Sequence, residues 1–287
     1  MSTQETPASD AYDPRILERE KRFHDRWALD TPLEQIPVLE VFESPVALEN
    51  RFIIQQLGPL AGKKLLDLGV GLGESAVYFA RKGAEVTAVD VSPEMVDLTL
   101  RLGQRYGVTM KGVVSGGEDL PVESNTYDFV YSANTLHHVS DRKRFFEQIH
   151  RVLKPGGKFF TIDPLVYNPI IGVYRRMATE VRTVDESPVS FRTLRLARRY
   201  FVNLQHREFW IASLALFLKY YLIDGVHPNA DRYWKRIYQE PAASLWWWYP
   251  LRSLDTVLSR IPLIRALAWN IVIFGEKGAA EGAADHL

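Results

Sequence analysis

The stretch LLDLGVGLGESAVYFA, residues 65–80, runs from an aliphatic segment through glycines at 69, 71 and 73 into a helix-like pattern. A strand that ends in glycines and passes into a helix brings backbone N–H groups and the positive helix end to one point. The missing side chains then let a ligand approach the main chain closely. This is how a nucleotide-type site is built, but alternating glycines also occur in ordinary strand-to-helix turns, so the surrounding residues must decide.

Outward from this stretch, short apolar runs alternate with helix-length segments. The runs KLLDLGV (64–70), AEVTAVD (84–90), VTMKGVV (108–114), YDFVYSA (127–133) and KFFTIDP (158–164) are separated by helical patterns over 74–82, 93–106 and 141–153. Strands spaced by crossover-length helices predict a doubly wound α/β fold whose parallel sheet binds ligands at the carboxyl ends of its strands. NLQHREFW (203–210) and WNIVIFGEK (269–277) read as a strand pair closing the sheet. Before the alternation, Ile16, Phe23 and Trp27 are spaced as on one helix face over 14–28, and VALENRFIIQQL (46–57) reads as a second helix ending at Gly58-Pro59. The division expected is a disordered tail over 1–13, a helical cap over 14–60, a ligand-binding core over 61–164, a region over 165–277 that completes the sheet around a helical insertion (211–268), and a second disordered tail over 278–287.

With 287 residues, 46% hydrophobic and 24% charged, the chain can bury a full core. The absence of cysteine excludes disulfides, thiolate nucleophiles and cysteine metal sites, so catalysis must use oxygen or nitrogen groups, and no metal site is expected. The polar, acidic start MSTQETPASDAYDPR is unlike a secretory signal, which makes a cytoplasmic location the expectation. The most apolar stretch, FWIASLALFLKYYLI (209–223), contains Lys219 and falls short of the ~20 residues a membrane-spanning helix needs. A net charge of zero argues against nucleic-acid binding. From residue 166 onward, however, 13 Arg and 3 Lys face 11 acids, a net +5, and six of the seven tryptophans lie there too.

The residues around the glycines discriminate among ligands. Counting from Gly69, the sixth position, small in a dinucleotide fingerprint, is Glu74, whose carboxylate would repel a pyrophosphate. Asp67 suits a cationic ligand, and Asp90, at the end of the second strand, stands where an acid grips ribose hydroxyls. A ligand with a ribose and a positive centre but no diphosphate is implied, and S-adenosylmethionine meets that description.

At this point LLDLGVGLGESAVYFARKGAEVTAVDVSPEMV, YDFVYSANTLHHVSD and LKPGGKFFTID resemble, in order and spacing, the motifs of class I S-adenosylmethionine-dependent methyltransferases of the type 11-like kind, over residues 49–164. The resemblance implies a Rossmann-like, seven-stranded, mostly parallel sheet with an antiparallel terminal hairpin, and N-terminal helices that lid the site. It also implies that Asp67 meets the methionine ammonium, that Gly69, Val70, Gly71 and Gly73 line the cofactor, and that Asp90 with Val91 takes the ribose. Ser132, Ala133 and Asn134 would then pass close to the methionine portion. One departure stands out: many members have an Asp-Ala pair that holds the adenine, where this chain has Gly116-Gly117. Contacts near Gly117 and Glu118, or from Asp119, are left for that role.

Methyl transfer from a sulfonium is an in-line displacement, so alignment supplies most of the catalysis and a base is added when the acceptor carries a proton. His137 and His138, just after the fourth strand, are the base candidates; packing of the loop is their structural alternative. Asp163 and Tyr167 are further candidates. Arg175, Arg176, Arg182, Arg192, Arg195, Arg198 and Arg199 would suit an anionic substrate or membrane surface, or else a solvated face paired with Glu180, Asp185 and Glu186. The aromatic-rich helices further on are composed like interfacial helices, or like a subdomain forming a hydrophobic pocket. The expectation is a methyltransferase acting on oxygen or carbon of a small lipophilic acceptor, with peripheral membrane contact through 209–274 as an open question. Its rivals are a nicotinamide-dependent oxidoreductase and a non-catalytic cofactor-binding protein.

Overall fold

The computed structural model describes residues 13–279. Both expected tails therefore lie outside the described residues, except for Asp13, Gly278 and Ala279. Asp13 N-caps the first helix, accepting from the Arg15 N–H.

The strands are β1 (Lys64–Leu68), β2 (Glu85–Asp90), β3 (Lys111–Val114), β4 (Tyr127–Ala133), β5 (Leu153–Pro164), β6 (Val202–Phe209) and β7 (Asn270–Glu276). They form one seven-stranded sheet in the order β3-β2-β1-β4-β5-β7-β6. The first five are parallel, and β7 runs antiparallel to both β5 and β6. The antiparallel pair departs from the all-parallel order 3-2-1-4-5-6 of dinucleotide-binding sheets. Leu65, Leu66 and Leu68 of β1 are buried to 1% exposure or less. A strand buried on both faces needs no hydrophobic alternation, which is why these runs read as nearly continuous apolar segments.

Before the sheet come α1 (Pro14–Leu29), α2 (Glu40–Glu43) and α3 (Leu48–Leu57); α4 (Glu74–Arg81), α5 (Pro93–Arg105) and α6 (Arg142–Val152) make the crossovers. After β5 follow α7 (Pro169–Met177) and α8 (Phe191–Ala197). Between β6 and β7 lie α9 (Ala215–Leu222), α10 (Tyr233–Arg236), α11 (Trp248–Leu258) and α12 (Pro262–Arg265). One buried cluster joins α2 to α5 with the β6–β7 helices, through Phe42, Ile53, Phe79 and Leu98 together with Phe217, Tyr233 and Trp248. A second, on Phe145, Phe146, Ile149 and Leu194, seats α6 and α8 on the sheet.

Much of the aromatic content between β6 and β7 is core. Trp210 and Trp248 are fully buried; their indole N–H groups donate to Glu49 Oε2 at 3.1 Å and to the Ser213 carbonyl at 3.0 Å. A different set stays outside: Leu222, Ile223, Trp246 and Leu263 are each more than 70% exposed. Among the described residues no helix is long and apolar enough to cross a membrane.

Candidate active site

Three glycines of the β1–α4 turn have positive φ, +75° at Gly69, +55° at Gly71 and +88° at Gly73, and each answers a different demand. A Cβ on Gly69 would stand 2.0 Å from Thr135 Oγ1, and one on Gly73 would press on Thr99. At Gly71 a Cβ would meet nothing; its open face belongs to a cavity of about 250 Å³ bounded by the carboxyl ends of β1, β2 and β4.

Asp90 closes this turn from β2. Its Oδ2 accepts the Gly71 N–H and its Oδ1 the Ser92 N–H, both at 3.0 Å. Each oxygen keeps a lone pair, so the carboxylate braces the loop and can still accept from a hydroxyl in the cavity. Asp67 sits behind the wall, 1% exposed, with the Ser75 hydroxyl donating to Oδ2 at 2.5 Å. Its Oδ1 is buried and has no partner among the described residues. Burial pushes Asp67 up to about 7, the neighbouring charges of Glu74 and Asp90 adding to it against the Ser75 hydrogen bond. A buried acceptor oxygen with no partner among the described residues is a group that a cation such as the ammonium of S-adenosylmethionine would satisfy. Glu74, at the position that argued against pyrophosphate, is buried and accepts from Lys235 Nζ at 2.5 Å.

Gly69, Val70, Gly71, Asp90, Val91, Gly117, Glu118 and Asn134 all line the cavity. Three other candidates for the cofactor do not: Asp67 lies beneath the wall, Gly73 is packed on Thr99, and Ser132 is fully buried with its hydroxyl unpartnered. Side chains alternate along β4, so Tyr131 and Ala133 reach the cavity and Ser132 faces away. Asp119 projects to solvent near Arg144, and Tyr167 is exposed and accepts from the Phe191 N–H, so neither belongs to the site.

At Gly116 a Cβ would stand 3.0 Å from Leu17 Cδ1 of α1, a tight contact that this side chain would have to relieve. Glu118 is largely committed, its Oε1 accepting from the Ser140 N–H and hydroxyl and from the Asp141 N–H. Acceptors for an adenine at this end are thus the Glu118 Oε2 and the main chain of the 115–118 turn.

At the other end of the cavity stand both histidines. Asn134 takes a left-handed φ of +55° at the end of β4, turning the chain so that Leu136–His138 form one tight helical turn over β5. His137 places Nδ1 2.8 Å from Asp163 Oδ1 and Nε2 3.9 Å from Glu186 Oε2. Burial holds His137 well below the usual imidazole range, and nearby cations reinforce it, so the ring is neutral at pH 7. In the tautomer that gives Nδ1–H to Asp163, Nε2 carries the free lone pair. Asp163 is fully buried and pushed up to about 7 by that burial, against the His137 backbone N–H bond.

His138 is the opposite case. Its Nδ1 lies 3.0 Å from Glu20 Oε2. Burial opposes its charge, but the hydrogen bond and the charge of Glu20 outweigh that and raise it, while the same pairing and the Thr183 hydroxyl hold Glu20 below its usual value in spite of burial. Helix α1 thus roofs the cavity with Leu17, Glu20, Phe23, His24 and Trp27. It is tied down further by Arg19 on Asp185, at 2.6 and 2.7 Å, and by Asp25 accepting from the Ser92 hydroxyl at 2.6 Å.

The arginine run divides. Arg176, Arg192, Arg195, Arg198 and Arg199 are exposed, as on a solvated face, whereas Arg175 and Arg182 line the cavity and both bind Glu186. The remaining wall is apolar and aromatic, with Ile171, Tyr174, Trp234, Tyr238 and Trp269. His137, His138 and Glu186 could geometrically hold a metal ion, but Glu186 already serves two guanidinium groups and His138 serves Glu20, so the donors are committed elsewhere.

Residues 66–161 match the family model described as a methyltransferase domain. The chain is 33% identical over 162 residues to a ubiquinone biosynthesis O-methyltransferase of Xanthomonas oryzae pv. oryzae, covering 56% of this chain and 65% of that one. It is 33% identical over 143 residues to a sarcosine/dimethylglycine N-methyltransferase of Aphanothece halophytica, covering 42% and 52%. The chain thus spans between half and two thirds of these curated relatives. Among solved structures, phosphoethanolamine N-methyltransferase 2 of Haemonchus contortus, in complex with phosphomonomethylethanolamine and S-adenosylhomocysteine, superposes with a TM-score of 0.58 at 19% identity, over 91% of this chain and 60% of that chain. The N-methyltransferase NodS of Bradyrhizobium japonicum, with S-adenosylhomocysteine, gives 0.50 at 12% identity, over 92% and 97%. These likenesses establish the fold.

Proposed function

We propose, from the match of residues 66–161 to the methyltransferase-domain model and from the geometry of the cavity, that this protein transfers a methyl group from S-adenosylmethionine to oxygen or carbon of a small acceptor with an apolar body. The observation that carries the reading is the pairing, across one cavity, of a cofactor-shaped end with a base-shaped end. The first has Asp90 and the open face of Gly71, with the unpartnered Asp67 Oδ1 beneath its wall; the second has a neutral His137 oriented by Asp163.

When bound, the cofactor supplies an already activated methyl group on a sulfonium. Asp67 would hold the ammonium and Asp90 the ribose. The residues' further task is alignment and, for an acceptor that carries a proton, its removal. His137 Nε2 takes that proton, and Asp163, fixed on Nδ1–H, stabilises the imidazolium that forms. Helix α1 excludes water while the aromatic wall receives the apolar body of the acceptor. A base is of most use for a hydroxyl or an acidic carbon, which favours those over an amine.

The reading extends to peripheral membrane contact. In 242–268 the exposed apolar Trp246, Leu254, Val257, Ile261 and Leu263 are accompanied by Arg252, Arg260 and Arg265. The one acid there, Asp255, is buried and accepts from the Ala212 N–H at 2.6 Å. An apolar surface with cations only is the composition that anionic lipid attracts. Flotation with anionic and with neutral vesicles tests this: no binding to either ends the membrane part of the reading.

The activity is tested by incubating the purified protein with methyl-labelled S-adenosylmethionine and a cell extract, with Asp90→Ala as control. Protein-dependent label in the organic phase supports a lipophilic acceptor. Label only in the aqueous phase keeps the methyltransferase and discards the lipophilic body; no label despite cofactor binding overturns the enzyme.

A further inference from the structure

Two guanidinium groups and one carboxylate meet beside the base. Glu186 Oε2 forms an ion pair with Arg175 Nη1 at 3.2 Å and accepts from Arg182 Nε at 2.7 Å and from its Nη2, so a single oxygen serves both cations. The forks are held by the main chain: Arg175 Nη2 donates to the Glu186 carbonyl at 3.3 Å, and Arg182 Nη1 to the Arg175 carbonyl at 3.1 Å. Both side chains are under 20% exposed. The three groups carry a net +1 in the cavity wall. Their burden is visible at Arg175, which burial and the charge of Arg182 push down to about 10 although Glu186 opposes them. Other local acids are engaged: Glu20 with His138 and Asp163 with His137.

A cation pair of this kind, planar and multiply donating, matches a carboxylate or phosphate. We propose that Arg175 and Arg182 receive an anionic group of the acceptor, carboxylate or phosphate, with Glu186 as the internal anion that shares or yields its place. The inference rests on the methyltransferase reading of the same cavity. His137 Nε2 lies 3.9 Å from Glu186 Oε2, so a group bound there stands next to the base. The acceptor is accordingly an amphiphile, with its acidic end at the arginines and its apolar body on Tyr174, Trp234 and Trp269. The anionic group is a handle, not the atom methylated: already ionised, it offers no proton for His137 to remove.

Two experiments on the full chain test it. Inorganic phosphate is titrated calorimetrically into the wild type, Glu186→Gln and the double variant Glu186→Gln/Arg182→Gln, each checked by thermal melting. Glu186→Gln should bind phosphate at least ~10-fold more tightly than the wild type, the scale of one charge-assisted hydrogen bond, and the double variant should lose that gain. Equal binding by the single and double variants overturns the site. Independently, the labelled product made by the wild type is passed over an anion exchanger at mildly alkaline pH. Retention supports the handle, and phosphatase treatment tells its sources apart, releasing a phosphate-bearing product and sparing a carboxylate. An unretained product overturns the proposal while leaving the methyltransferase standing. Absence of any labelled product overturns the methyltransferase reading, and the phosphate titration then still decides whether the arginines bind an anion.

Discussion

Asp163 Oδ1 meets His137 twice, accepting from its backbone N–H at 3.1 Å and lying 2.8 Å from its ring Nδ1. One carboxylate at the end of β5 therefore fixes both the loop and the imbalance between the ring nitrogens. His137→Gln should lower kcat by ~10²–10⁴ with cofactor affinity nearly unchanged, the usual contribution of a positioned base. Asp163→Asn should also lower kcat, and it should change the pH–rate profile because it alters which ring nitrogen carries the proton. A profile identical to wild type would assign Asp163 to structure alone.

The two outer glycines of the β1–α4 turn and the central one should separate in a stability assay. Gly69→Ala meets Thr135 within 2.0 Å as well as a left-handed φ, so it should destabilise the protein by more than the ~1–2 kcal/mol that left-handed backbone alone costs. Gly71→Ala meets no protein atom; its melting temperature should fall less, and its cofactor affinity should fall more. The measurement is a thermal melt of each variant beside cofactor calorimetry.

Asp90→Ala removes the acceptor of the Gly71 and Ser92 N–H groups as well as the proposed ribose ligand. Cofactor affinity should drop at least ~10-fold, about 1.4 kcal/mol. Unchanged binding in calorimetry would overturn the ribose assignment.

Asp67, pushed up to about 7 by burial, is partly protonated at neutral pH before a ligand arrives. Only the ionised form pairs with an ammonium. Affinity for S-adenosylmethionine should therefore rise as pH increases through about 7 and level off above it. Asp67→Asn should bind weakly with no such slope, which calorimetry across that range would check.

The clasp between Glu20 and His138 should leave its own mark on stability. Glu20 is held below its usual 4.5, so its contribution is present above that value and is lost as pH falls through the depressed one. His138 is raised above 6.5, so its contribution is full below that value and is lost as pH rises through the raised one. Stabilisation is greatest between about 4.5 and 6.5. Glu20→Gln should flatten the melting temperature across this window; an unaltered profile would show that the clasp contributes nothing.

The fold was legible because its signals are local and repeated: continuous apolar runs such as Leu65-Leu66, glycines at a strand end, and crossover-length helices between. The glycine turn and Asp90 were legible for the same reason, while Ser132, taken with its neighbours as one contiguous segment, faces away from the cavity because a strand shows only alternate side chains on one face. Less could be seen of the other end. Glu20 reads as one more charge on an amphipathic helix, and only the docking of α1 buries it against His138, 118 positions further on. Arg175 and Arg182 look like members of a basic run, and the return of α7 over the cavity separates them from the five that stay exposed. The faint local sign was Arg182 four residues before Glu186. The tryptophans misled in proportion: Trp210 and Trp248 fill the core, while Trp246 beside them is exposed.

Thr135 occupies the space a side chain at Gly69 would need, and its hydroxyl donates to the Leu68 carbonyl at 3.2 Å. Two positions further on stands His137. The interval between the glycine turn and His137 is thereby built into one interlocked piece of the sheet, which no change in α1, α7 or the β6–β7 helices needs to disturb. Those elements supply the roof, the arginines and the aromatic wall, and they can be exchanged around a constant reaction distance. A chain organised in this way can acquire new acceptors by remodelling its periphery while the chemistry stays put.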